Sequence, residues 1–516
     1  MMRMTLAQMV QAVHGSAEHC DCDDLETVTA TSVVTDSRQV VDGALFVAIA
    51  GEHVDGHDFV DAAARQGAAA ALVEREIKSA PIAQIVVPDT VAALGALAKA
   101  NLEARKAIDE PFTIIGITGS VGKTTTKDLL HALLSTQGET VAPKGSFNNE
   151  IGLPLTALKV GERTRYLVAE MGANHIGEIA RLTKIAPPDI AVVLKVGVAH
   201  LGEFGSVERI AQAKSEIVRG EAPNAITVLN ADDERVAAMS GIAKGDVFWF
   251  GIDKAQAHDI DGYMAADDIA LDDLGHPVFE LVSSQGVEQR VSLGIGGGPH
   301  RTEELGAAGG VPAGSGGRHN VMNALAAASV AKLLGMPLER IAQVLADTRR
   351  ISPHRMAVSE VERDGARFTL IDDSFNANPD SMRAGIDGLM AWRSQEDQQP
   401  YRVAVLGSML ELGSDEHNLH RTIGAYALDG GVDALICVGG GDDASLNALA
   451  QDIADGGTEA KDADDMRPVR AVKTTQQADD LIRALNAEHP DMLVLLKGSH
   501  ASGLSALATQ WAAEAE

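Results

Sequence analysis

Cysteine is scarce: three residues in 516, Cys20, Cys22 and Cys437, cannot make a disulfide framework. Cys20 and Cys22 beside His19 are too closely spaced for a usual zinc clip, so reduced cytosolic thiols are the simpler reading. Long apolar runs are also missing. The best candidate, Ala324–Met336, is interrupted by Lys332 and falls short of the ~18 residues that a membrane span needs. Met1–Val13 has neither a charged leader with a solid apolar run nor a cleavage site. These absences predict a soluble, cytoplasmic protein without membrane insertion. Basic residues are outnumbered, 43 against 73 acidic, leaving a net charge of −30. That balance argues against a nucleic-acid partner, whose footprint is a basic stripe, but leaves room for a basic pocket that takes small anions.

What is present looks globular: 45% of residues are apolar and 22% charged. At roughly 100–200 residues per domain, the length predicts about three α/β domains. Residues 1–108 mix short strands and helices and end in the Ala-rich helix Thr90–Lys106. Residues 109–348 alternate strands (Phe112–Thr118, Tyr166–Glu170, Asp189–Lys195, Ala225–Leu229, Asp246–Phe250) with helices, the pattern of a parallel sheet covered on both faces. His258–Leu293 turns shorter and β-like. Gly294–Gly317 is glycine-rich and reads as a solvent loop; a phosphate cradle there would lack a lysine and a strand–loop–helix frame. Helices return at Asn320–Leu334 and Leu338–Asp347. Residues 349–516 hold a second α/β sheet, with strands at Val403–Leu406, Leu435–Val438 and Met492–Leu496. Gly439–Gly441 follows one of them, but without G-x-G-x-x-G it reads as a turn.

The strongest motif is Thr118-Gly-Ser-Val-Gly-Lys-Thr-Thr125, between a buried strand and a helix starting near Gly122. Backbone N–H groups of such a loop cradle phosphate oxygens, and the helix N-terminus adds positive potential. Gly119, Ser120, Val121, Gly122, Lys123, Thr124 and Thr125 are therefore the expected ATP-phosphate contacts, with Lys123 on the β- and γ-phosphates and Thr124 on Mg²⁺. The generic pattern wants glycine at position 117, which is Ile117. No Asn-Lys dipeptide occurs, so a guanine-reading switch is disfavoured.

Glu170, at the end of a neighbouring strand, fits a second acidic metal ligand; its alternative is to cap the next helix. His200 could face the same phosphates, although a lone histidine is commonly structural. On the helix Ser206–Arg219, Lys214 shares the apolar face of Val207, Ile210, Ile217 and Val218. A lysine so placed must snorkel, pair with a carboxylate such as Glu170, or be altered chemically, for example by carbamylation.

Together these segments resemble the ATP-dependent Mur ligases over nearly the whole chain. Thr35-Asp-Ser-Arg38, Gly43–Gly51 and Asp55-Gly-His-Asp58 are similar to the family's N-terminal UDP-sugar domain, and Gly116–Thr125 to its own form of the phosphate loop. Phe147-Asn-Asn-Glu-Ile-Gly-Leu-Pro154, Glu170–Ala173, Ala199–Ser206 and Ala211–Ile217 resemble further family segments, as do His319-Asn-Val-Met-Asn323, Ser352-Pro-His-Arg355, Asp372–Pro379, Leu406–Gly413 and Lys497-Gly-Ser499.

The resemblance implies three domains: UDP-sugar-binding, P-loop ATPase and Rossmann-like. It also implies an ADP-forming ligase joining D-Ala-D-Ala to UDP-MurNAc-tripeptide through an acyl phosphate. Its implied ATP contacts beyond the loop are Asn320, Asn323, Arg355 and Asp373. Asp36, Ser37, Arg38, Asn148, Asn149, Asn376 and Asn378 are implied for the other substrates. Thr124, Glu170, His200 and carbamylated Lys214 are implied for Mg²⁺, and Lys123, His200, Lys214 and Arg355 for catalysis. A monomer that closes on its substrates is expected. Lys195, Ser408 and His500 depart from the family pattern, and Gly294–Gly317 looks like an insertion. The competing readings are a sister amide ligase, whose D-N-P-R signature is absent here, and a P-loop regulator that uses ATP only as a switch.

Overall fold

The computed structural model describes residues 1–51, 54–197, 201–252, 262–272, 276–286, 288–295, 311–312, 317–349, 351–363, 365–392 and 399–514. Three main sheets organise them, following one another along the chain. The N-terminal sheet runs Ser16–Glu18, Ala83–Val86, Ala70–Val73, Ala44–Val47, Ser32–Val34, and all but the first strand are parallel. Helix Thr90–Lys106 begins where the Asp89 carboxylate accepts from the Ala92 N–H, the usual way to satisfy an orphan donor. Its polar residues bind the next domain: Asn101 Nδ2 donates to the Ala157 and Val160 carbonyls, both at 3.0 Å, and Arg105 Nε to the Thr164 carbonyl. Apolar residues of the first sheet and of the central one share a continuous core.

Among the described residues the central sheet has ten strands. From Tyr263–Leu271 through Val247–Gly251, Ile226–Asn230, Ile190–Val193, Thr113–Thr118 and Thr164–Glu170 to Glu139–Val141, all neighbours are parallel. The β-like stretch after residue 258 adds Pro277–Ser283 and Glu288–Ser292 antiparallel at one edge, so the sheet is mixed rather than wholly parallel. Of the glycine-rich tract, most lies outside the described residues; Val311–Pro312 forms a short strand beside Leu271.

Period-two alternation decides the layers. Ile114, Leu167 and Ala191 face one core, while Ile115, Ile117, Val168 and Val192 face the other, under helices Lys123–Ser135 and Arg318–Leu333. Burial on both faces explains the unbroken apolar run at 114–117.

The C-terminal sheet runs Ala357–Arg363, Ala366–Asp373, Met492–Lys497, Tyr401–Gly407, Ala434–Val438, Val469–Val472. Only the first pair is antiparallel. No helix among the described residues is long and apolar enough to cross a membrane.

Candidate active site

In a parallel sheet every strand ends on the same edge, and ligands gather there. Here two such edges face each other. The central sheet presents Thr118 and the loop after it, Glu170, Leu194 and Asn230; the C-terminal sheet presents Asp373 and Lys497. A cavity of about 470 Å³ lies between them, lined by most of the loop, Glu170, Lys214, Asn320, Asn323, Arg355, Asp373, Asn376 and Asn378, with Asn148 at one side. Of the implied substrate residues, Asn149 lines an adjoining recess instead. Asp36, Ser37 and Arg38 lie in the N-terminal domain outside this cavity, where Asp36 holds Arg38 through paired hydrogen bonds. His200 lies outside the described residues.

The phosphate loop is fixed from behind. Thr118 Oγ1 donates to the Met171 carbonyl at 2.8 Å, and the Ser120 N–H donates to the Lys195 carbonyl at 2.8 Å. Gly122 has φ +84°, a conformation costly for residues with a Cβ. A Cβ there would also run into the Asn323 side-chain oxygen. Thus the loop and helix Arg318–Leu333 approach closely enough to demand glycine. Lys123 Nζ donates to the Gly119 carbonyl at 2.8 Å. Burial is the main cause that lowers its pKa; Glu170 opposes the shift and Arg355 reinforces it.

Thr124 is the centre of a polar chain. Its hydroxyl donates to Glu170 Oε2 at 3.1 Å and accepts from Arg355 Nη2 at 3.3 Å, while Asn148 Nδ2 donates to Glu170 Oε1 at 2.9 Å. Glu170 is therefore held against the phosphate loop and does not cap the next helix, where the Gly177 and Ala180 N–H groups donate to Glu216. The Arg355 guanidinium also stacks 4.4 Å from the Phe375 ring centroid. A hard oxygen pair, the Thr124 hydroxyl and the Glu170 carboxylate, suits Mg²⁺, which prefers few protein ligands plus phosphates and water. Among the described residues no cluster of three or more His, Cys, Asp or Glu forms a closed metal cage.

Lys214 is 2% exposed on helix Val207–Arg219, with Nζ 5.9 Å from the Phe204 ring centroid. It makes no ion pair with any described carboxylate, which removes the pairing alternative for those residues. Glu216, two residues on, spends its carboxylate on the Gly177 and Ala180 N–H groups. Burial, and next the nearby Lys123 charge, push the Lys214 pKa down to about 7 against the pull of Glu178 and Glu216. An amine with that pKa is substantially neutral and nucleophilic at physiological pH, as carbamylation by CO₂ requires.

Several lining residues were not anticipated as site residues. Lys497, 1% exposed in its side chain, pairs with Asp373 Oδ2 at 2.5 Å across two neighbouring strands. The sequence signal was the K-G-S segment, but nothing local assigns its partner. His319 lines the cavity, and burial lowers its pKa. Lys195 is an exposed lining residue, whereas Ser408 is buried against Ser499, Oγ to Oγ 3.2 Å.

A phosphate loop, an oxygen-donor pair and two lysines, closed over by a second sheet carrying an arginine, define a nucleotide-dependent group-transfer protein of three α/β domains. Known proteins narrow this. Residues 29–102 match the Mur ligase catalytic-domain family, 117–331 the Mur ligase middle domain and 354–500 the Mur ligase glutamate ligase domain. The UDP-N-acetylmuramoyl-tripeptide–D-alanyl-D-alanine ligase of Mycobacterium tuberculosis is 39% identical over 532 aligned residues, covering 98% of this chain and 97% of that protein. The crystal structure of MurF from Acinetobacter baumannii superposes with a TM-score of 0.79 at 31% identity, covering 99% of this chain and 98% of that one. MurF from Thermotoga maritima, solved in complex with ADP, gives 0.71 at 29% identity, with 94% and 97% covered. The chain belongs to the Mur ligase family, in the branch of these D-alanyl-D-alanine-adding enzymes.

Proposed function

We propose that this protein joins D-Ala-D-Ala to UDP-MurNAc-tripeptide at the expense of ATP, completing the cytoplasmic pentapeptide precursor of peptidoglycan. The full-length likeness to ligases of that name carries the reading, and the paired-sheet cavity supplies a site with the required chemistry. A carboxylate is a poor electrophile at neutral pH. In the first step an oxygen of the tripeptide's terminal carboxylate bonds to the γ-phosphorus of ATP, and the bond to the β,γ-bridging oxygen breaks with release of ADP. In the second, the dipeptide amine bonds to the acyl carbon and inorganic phosphate departs with the electron pair of the C–O bond.

Catalysis of the first step is positioning and charge neutralisation. Lys123, with Gly119–Thr125, holds the phosphates; Arg355 reaches over the loop from the segment that leads into the C-terminal sheet; Asn320, Asn323 and Asp373 line the remainder of the nucleotide site. Thr124 and Glu170, with His200 and carbamylated Lys214, are the residues that would hold Mg²⁺, which would neutralise phosphoryl charge. Asn148, Asn149, Asn376 and Asn378, with Asp36, Ser37 and Arg38 in the first domain, serve the sugar-peptide and dipeptide substrates. The chain works as a monomer with domains at 1–108, 109–348 and 349–516, closing to keep water from the acyl phosphate.

Hydroxylamine offered in place of the dipeptide tests the chemistry. Formation of the tripeptide hydroxamate, dependent on ATP, is the expected result. ATP cleavage without hydroxamate would favour the switch ATPase over the ligase.

A further inference from the structure

Arg355 reaches the phosphate loop from a backbone that ordinary residues avoid. His354 has φ +61° and Met356 φ +51°, so the arginine sits between two left-handed residues, neither of them glycine. Left-handed backbone is strained for residues with a Cβ, and such a conformation persists only where its surroundings over-determine it. Those surroundings are specific. His354 Nδ1 lies 2.7 Å from Asp372 Oδ2. The other Asp372 oxygen accepts from the Ser374 hydroxyl at 2.6 Å, and the Phe375 N–H donates to the His354 carbonyl at 3.3 Å. Upstream, the Ser352 N–H donates to Asp128 Oδ2 at 2.8 Å and Lys127 Nζ to Ser352 Oγ at 3.3 Å, tying the strap to the helix that follows the phosphate loop.

Consecutive residues of a strand point to opposite faces. Asp373 and Asp372 divide their work accordingly: the first faces the cavity and pairs with Lys497, and the second pins His354. Phe375, two residues on, supplies the ring on which the guanidinium lies. One short segment, 372–375, thus both lines the cavity and fixes the strap.

We propose that His354, through Asp372, is a positioning residue for the reaction: the pair holds the left-handed turn that aims Arg355 at the Thr124 end of the phosphate loop. His354 touches no reacting atom in this account, and the proposal rests on the ligase reading above. Loss of the pair lets the strap relax and costs turnover through the arginine, with little effect on the binding of nucleotide to the loop.

The test is a double-variant cycle on the full chain. His354→Gly keeps the left-handed backbone accessible and removes the pair; His354→Asn tolerates that backbone and retains a polar group. Phosphate release with both substrates, nucleotide affinity and melting temperature would be measured for each, alone and with Arg355→Ala. The expected result is a fall in kcat of about tenfold or more for His354→Gly, with partial recovery in His354→Asn and nucleotide affinity within about twofold. In the Arg355→Ala background His354→Gly should change kcat by less than about twofold, because the residue acts only through the arginine. Additive losses in the double variant, or full kcat in His354→Gly, would overturn the proposal. Wild-type turnover and the loss in Arg355→Ala alone test the ligase reading separately, so the two failures are distinguishable.

Discussion

Lys214 is a long cationic side chain enclosed beside a phenyl ring and a second lysine, and its lowered pKa follows from that placement. The sign of the linkage is set by the folded value, about 7, lying below the 10.5 of an exposed lysine. Between those values the unfolded chain binds the extra proton, so stability should rise with pH by up to about 1.4 kcal/mol per unit and flatten below about pH 7. In CO₂-free buffer, urea titrations should show that Lys214→Met loses this slope. A slope unchanged in the variant would mean that Lys214 is ordinarily charged in the fold. The same variant should lose ligase turnover by 100-fold or more, and depleting CO₂ should slow the wild type until bicarbonate is restored. At Glu170, substitution by Gln keeps the acceptor for Thr124 and removes the charge. Turnover should fall by about 10²-fold, on the scale of losing one preorganised charge-stabilising group, with a raised Mg²⁺ requirement in initial-rate assays. An unaltered metal dependence would remove Glu170 from the metal site.

Among elements, the strand–loop–helix unit from Thr113 to Ser135 carries the site, and Gly122 is its tightest point. Gly122→Ala faces both the left-handed φ and the Asn323 side chain, so it should cost about 1–2 kcal/mol in stability and abolish the thermal shift produced by ATP. A normal nucleotide-induced shift in that variant would show that the loop does not bind the phosphates. This unit was readable in advance because apolar run, glycine turn and helix pattern all point the same way. Helix Thr90–Lys106 was readable from its Ala-rich run, and the structure adds the Asp89 carboxylate as its cap; Leu338–Asp347 starts after Pro337 at its N-cap. The hairpin Ala357–Asp373 was not readable, because its first strand is largely exposed and lacks an apolar run. Nor was the strap at 352–356, since left-handed residues that are not glycine leave no mark in the sequence. The Asp373–Lys497 pair joins positions 124 apart and appears only once strand order is known. Lys214 shows both sides: its apolar helix face was visible in the pattern, but the absence of a carboxylate partner among described residues was not.

Over the whole molecule, the site exists only where the central and C-terminal sheets meet. The segments that follow strands of these two sheets touch at a second point, where the Gly202 N–H donates to the Glu411 carbonyl at 3.0 Å and the Gly202 and Gly413 backbones meet. A Cβ on either glycine would strike the other's backbone. Gly202→Val should therefore hinder closure while leaving the phosphate loop intact. In small-angle scattering, an ATP analogue with UDP-MurNAc-tripeptide should compact the wild type and fail to compact this variant, with analogue affinity nearly unchanged. Identical scattering for the wild type with and without ligands would refute a large closure.

Amide ligation with two specific substrates is decided by phosphate release measured alongside the product mass. With ATP, UDP-MurNAc-tripeptide and D-Ala-D-Ala together, phosphate should be released and the sugar peptide should gain one dipeptide less one water. Omitting either substrate should stop ligation. Equal phosphate release with neither substrate would mean a switch ATPase, and turnover only when a single amino acid replaces the dipeptide would mean a sister ligase.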